Sequence, residues 1–123
     1  MVSYAQAMRE LDITTEEAGA GVAVVALAGE IDLYTCPEFK QELLRVIADG
    51  ASLVVVDLTG TTFIDSTALG VLVQAVQRLR ETDGGRFGLV VTDENIRRIF
   101  EMTGLERVFP IYGSRDEALS DQT

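Results

Sequence analysis

The chain has 123 residues, 47% of them hydrophobic, with 20 acidic residues against 10 basic ones and a formal net charge of −10. That length suits a single domain, and the acidity argues against nucleic acid or an anionic membrane surface as a partner, since both require a basic patch. With no histidine and one cysteine, Cys36, a Cys-His catalytic pair, histidine metal ligation, a phosphohistidine and an internal disulfide are all excluded.

The first 17 residues, MVSYAQAMRELDITTEE, lack the basic stretch and apolar core of a signal peptide. No apolar run approaches the roughly 20 residues needed to cross a bilayer. A reduced, cytoplasmic location is expected. Residues 11–14 alternate weakly and predict a strand that pairs, through the turn EEAGAG, with the β-branched run VAVVALA at 22–28. Next comes TCPEFKQELLRVIADG, with Thr35 as expected N-cap, Pro37 in the first turn and Gly50 as the stop. Phe39, Leu43, Val46 and Ile47 recur there at helical spacing.

LVVVDL at 53–58 predicts a second core strand. From Ser66 a helix is expected, with Leu69, Leu72, Val73 and Val76 inward and Thr67, Gly70, Val71, Gln74 and Arg78 outward or on the flank. Asp83, Gly84 and Gly85 should stop it and turn the chain into a third core strand at 87–91. A helix opened by Asp93 should follow, carrying Ile96, Ile99, Phe100 and Met102 on its apolar face and ending at Gly104. A last strand at 108–112 and a helix capped by Ser114 complete the chain. The order is β-β-α-β-α-β-α-β-α, an α/β fold whose sheet of four or five strands is mixed but mostly parallel, with right-handed crossovers and about four helices. One domain over 1–123, with its core at about 11–119, is expected.

Between the second core strand and its helix stands FIDSTALG, residues 63–70. A hydrolase elbow would need Gly-x-Ser-x-Gly and a histidine base, and neither is present. A phosphate loop would need a glycine-rich turn before Lys-Ser/Thr, whereas the only lysine, Lys40, falls inside a predicted helix. Asp57, at the expected end of its strand, could be a receiver-type phosphoacceptor or could start a turn by accepting hydrogen bonds from nearby amides. Glu30, Asp32, Asp57 and Asp65 could together offer oxygen ligands to a hard cation, though no compact ligand loop exists. Ser66 itself is expected to cap the helix, and a phosphoryl group at that positive helix end would be tolerated while adding negative charge. Gly70 either packs closely within this chain or leaves room for another backbone.

LAGEIDLYTCPEFKQEL, LVVVDLTGTTFIDSTALGVLV and GGRFGLVVTDENIRRIFEMTGLERVFPIY resemble, in matching order over nearly the whole chain, a bacterial anti-sigma-factor antagonist with a STAS domain. The Asp-Ser-Thr-Ala-Leu-Gly motif is the most specific part, backed by Gly-Glu-x-Asp and Met-Thr-Gly-Leu. Ala68 stands where many members carry glycine. The resemblance implies a regulator, not an enzyme, with no cofactor. Unphosphorylated, such a protein binds an anti-sigma factor that is also a serine kinase, and the sigma factor, affected only indirectly, goes free. The kinase then modifies the motif serine with ATP, and a metal-dependent Ser/Thr phosphatase reverses the change. Carried over, Ser66 is the phosphoacceptor, Asp32 and Asp65 flank it, and Thr67, Gly70, Val71 and Gln74 belong to the partner-binding surface. A non-switching STAS scaffold or ligand-sensing module of a stress-signalling complex is the alternative.

Overall fold

The computed structural model describes residues 11–82 and 84–121. Asp83 of the expected turn, and the two ends of the expected domain, lie outside them. The strands are β1 (Leu11–Gly19), β2 (Val22–Ile31), β3 (Leu53–Ile64), β4 (Arg86–Val90) and β5 (Ile111–Tyr112), and the helices are α1 (Cys36–Ala48), α2 (Ser66–Arg80), α3 (Glu94–Thr103) and α4 (Arg115–Ser120). A single 3-10 turn, Leu105–Arg107, follows α3. The sheet runs β1-β2-β3-β4-β5; β1 is antiparallel to β2 and every later pairing is parallel. Fold class and element order are as the sequence predicts.

Strand periodicity sorts the core into two layers. Val54, Val56 and Leu58 face the large core with Val25, Leu27 and Leu89, where Phe39 and Leu43 of α1, Leu72 and Val76 of α2 and Phe100 of α3 also lie. Leu53 and Val55 face the opposite way, onto a smaller core with Val24, Val90 and Ala118 of α4. LVVVDL is apolar without alternation because both of its faces are covered.

Several boundaries move. β1 continues to Gly19, so the expected six-residue turn shrinks to Ala20 and Gly21, and Glu16 and Glu17 pair with Val24 and Ala23. β2 and β3 outrun their apolar runs, pairing in parallel as far as Ile31 with Ile64 across two register shifts. The polar stretch Thr59–Thr62 looks like a loop by composition, yet its partner strand holds it. Gly60 permits the close approach: a Cβ there would meet that of Ala28 at 3.0 Å and the Leu27 carbonyl at 3.1 Å. Asp57 therefore sits inside a strand rather than at its end. The expected strand 108–112 is reduced to two residues, since Phe109 turns into the core against Phe87 and Phe100 and Pro110 has no N–H to give a ladder. Gly104, at φ 76°, ends α3 as expected. Met102 does not join the apolar face; two residues beyond Phe100 it lies about 200° around the helix and is exposed.

Candidate functional site

Parallel pairing of β2 with β3 brings the loops after both strands to one edge of the sheet. The Asp65 N–H donates to the Ile31 carbonyl at 3.1 Å, joining them. In the first loop, Asp32 Oδ1 accepts from the Tyr34 N–H at 2.9 Å and the Thr35 N–H at 3.0 Å. The buried Thr35 hydroxyl accepts from the Asp32 N–H and donates to the Glu30 carbonyl, both at 2.9 Å. Thr35 thus holds the N-cap position of α1 without a side-chain cap bond; its hydroxyl is committed backward, to the loop.

The second loop corrects the reading of the serine. Asp65, extended at φ −110° and ψ −179°, is the N-cap of α2: its Oδ1 accepts from the Thr67 N–H at 3.0 Å and the Ala68 N–H at 3.3 Å. Ser66 is the first helical residue, exposed, and among the described residues its hydroxyl has no hydrogen-bond partner. The cap expected from Ser66 is supplied one residue earlier, because the N-cap needs an extended backbone and Ser66 is already helical. Asp32 and Asp65 share one economy. Each spends Oδ1 on its own loop, and neither Oδ2 has a hydrogen bond among the described residues.

From there the site continues along α2. Thr67, Gly70 and Gln74 are exposed, as expected. Among the described residues nothing packs closely on Gly70: an added Cβ would find none of their atoms within 4 Å. Val71 differs: it is only 7% exposed and belongs to the core, so what it offers is the floor of a groove between α1 and α2 rather than an outward side chain. Val73, expected inward, is half-buried at the core margin. Sequence reasoning missed Leu33, 64% exposed, and Tyr34, 76% exposed, in the loop held by Asp32, and the half-exposed Phe63 one residue before the core-facing Ile64. Two apolar residues between a strand end and a helix cap were the available signal.

Cys36, buried at the start of α1, has its thiol pushed up first by burial, then by the charges of Asp65 and Asp32, with Lys40 opposing. It stays protonated and is no nucleophile.

Asp57 stands apart, on the face of the sheet that carries α4. Its Oδ1 accepts from the Thr59 N–H at 2.9 Å and the Thr59 hydroxyl at 2.5 Å, and its Oδ2 from Arg115 Nε at 2.6 Å. Burial pushes its carboxyl up, yet the bonds from Thr59 and Arg115 outweigh burial and hold it below the usual range. The expected acceptance from a nearby amide is present, inside the strand rather than at a turn. With Asp57 so engaged, the four-carboxylate cation site does not assemble; among the described residues no three Asp, Glu, Cys or His side chains are placed to hold a metal. Nor is any described helix long and apolar enough to cross a membrane.

This architecture, a mixed five-stranded sheet with a capped serine-bearing helix at its parallel edge, is that of a STAS domain: residues 13–118 match that family, and the chain belongs to it. Among its relatives is the anti-sigma-F factor antagonist RsfB of Mycobacterium tuberculosis, 30% identical over 100 residues that cover 81% of this chain and 80% of that protein. The anti-sigma-B factor antagonist of Staphylococcus aureus is 38% identical over 82 residues, 67% of this chain and 75% of that protein. The crystal structure of an anti-sigma factor antagonist from Mycobacterium paratuberculosis superposes with a TM-score of 0.84 at 33% identity, covering 90% of this chain and 92% of that one.

Proposed function

We propose that this chain is an anti-sigma-factor antagonist that works by partner switching. Unphosphorylated, it binds an anti-sigma factor with serine-kinase activity, and the sigma factor is released as a consequence. Transfer of the ATP γ-phosphoryl group to the Ser66 oxygen, with loss of the hydroxyl proton and departure of ADP, ends the binding. A metal-dependent Ser/Thr phosphatase hydrolyses the ester and resets the switch. The chain itself catalyses nothing and takes no cofactor.

One observation carries this reading: the motif serine is exposed at the helix start with its hydroxyl uncommitted, while Asp65 does the capping. Ser66 can therefore gain a phosphoryl group without uncapping α2. The positive end of the helix accommodates the new charge. The new charge of up to −2 stands beside Asp65, in the same loop pair as Asp32, and it adds bulk and a tightly held hydration shell to a face that a partner must fit closely and desolvate. The names of the relatives favour the antagonist role.

Intact-mass measurement after incubation with anti-sigma factor kinases and ATP tests it. One phosphoryl group should be added to the native chain and to Thr67→Ala, and none to Ser66→Ala. Ser66→Asp should keep the native thermal midpoint and lose the kinase, with Kd raised a hundredfold or more. An unchanged mass with every kinase that binds would point instead to a non-switching scaffold.

A further inference from the structure

β1 forms one edge of the sheet and β5 the other, and the two edges are unlike. β5 is two residues long, too short to template another strand. β1 runs for nine, LDITTEEAG, without proline or lysine, and keeps unbroken register with β2 from Leu11 to Glu17. Alternate residues of β1 bond β2 and the others turn their N–H and C=O groups outward. Among the described residues no other element takes those groups up. The side chains along the edge divide by face. Leu11 and Ile13 lie half-buried at the margin of the large core. Asp12, Thr14 and Glu16 are exposed on the opposite face. Arg115 Nη1 reaches Glu16 at 3.2 Å, whereas Asp12 has no hydrogen bond or ion pair among the described residues. Across from Asp12 and Thr14 stand only Ala28 and Ala26, and these four help line a depression of about 240 Å³.

We propose that β1 is a docking edge for an extended segment of a partner protein in which aliphatic and basic side chains alternate. Added beside β1, such a segment satisfies the outward backbone groups. Its aliphatic residues, opposite Leu11 and Ile13, extend the helix-covered side of the core. Its basic residues stand opposite Asp12 and Glu16, with Cβ atoms roughly 5 Å apart. A lysine or arginine opposite Asp12 can lay its aliphatic stem into the depression while its charge meets the free carboxylate. The charges select this occupant over a second copy of the chain. Antiparallel self-pairing centred on Thr14 sets Asp12 opposite Glu16 twice, and like charges directly opposite are destabilising. The net charge of −10 adds to that repulsion. The edge is separate from the proposed switch: β2 lies between β1 and β3, the strand that leads to Ser66, so either reading can stand without the other.

Amide hydrogen exchange, read by NMR on the full chain, decides the matter, with a peptide of alternating valine and lysine, matched to β1 in length, as the probe. At millimolar peptide the outward amides of β1 should exchange tenfold or more slowly than in the free chain. The same peptide with its central valines replaced by proline keeps its charge, loses N–H donors, and should protect none of them. Asp12→Lys should weaken binding of the valine-lysine peptide tenfold or more, with a native thermal midpoint. No protection at millimolar peptide would overturn the proposal outright. Equal binding of the proline peptide, or equal binding by Asp12→Lys, would overturn it by reducing the contact to unspecific attraction. A dimer in sedimentation whose β1 amides are protected without peptide would overturn it in favour of a second copy. Protection of those amides in the free monomer would overturn it in favour of the chain's own first ten residues.

Discussion

Asp57 and Asp65 are eight residues apart, one inside β3 and one just beyond its end, and both accept a main-chain N–H from the residue two positions on. There the likeness stops. Asp57 is buried, and both of its oxygens are engaged within the chain, by Thr59 and by the first residue of α4. Asp65 is half-exposed, gives one oxygen to the α2 N-terminus and keeps the other unspent. A carboxylate consumed inside the molecule holds elements together; one only half consumed at a surface can also be recognised. The same residue type thus ties α4 to the sheet on one face and, in the proposed switch, marks the docking edge at the end of the strand.

Breaking the buried side of that pair should have the largest effect on stability. Arg115→Ala leaves the Asp57 carboxylate without its charged donor and should cost about 2 kcal/mol in urea unfolding, at the low end for a buried pair because the arginine is partly solvated. Kinase affinity should not change. The same contact sets a pH signature. The Asp57 carboxyl is held below its ordinary range when folded, so its contribution is full above the unfolded carboxylate pKa, about 3.9, and disappears as pH falls through the folded value. Asp57→Asn should flatten the acid limb of the stability curve; an acid limb as steep as native would show that other carboxylates set it.

At the exposed side, Asp65→Ala should cost about 1 kcal/mol through loss of the cap and should also weaken the kinase complex. Asp65→Ser sharpens the contrast. It restores the cap and the unfolding midpoint but not the charge, so affinity should stay low; recovery of affinity with the cap would mean that Asp65 acts only by ordering the helix. Smallest is Gly70→Ala, which should stabilise α2 by about 0.8 kcal/mol while weakening the partner complex, opposite signs that separate the needs of the fold from those of the interface.

Element order and sheet type are legible in the apolar runs and stop signals, and FIDSTALG stands out among them as the candidate site. What the sequence left open has identifiable causes. Polar Thr59–Thr62 belongs to a strand because β2 presents a free edge there, and no local pattern reports a neighbour's edge. Val71 was expected outward or on the flank because a single helical stripe was counted, while α2 packs against α1 as well as the sheet and buries a wider arc. Leu33 and Tyr34 escaped notice because a loop's exposure depends on what covers it.

The residues by themselves determined the family, the fold class and the position of the motif serine at a helix start, since these reside in local periodicity and in a contiguous motif. Only the tertiary structure decided which group caps α2, that Asp57 and Asp65 have opposite fates, and that Lys40 shares a groove with Gly70. Each of those depends on backbone angles or on contacts between segments distant in sequence, where the partner that consumes or spares a side chain is chosen by the whole fold.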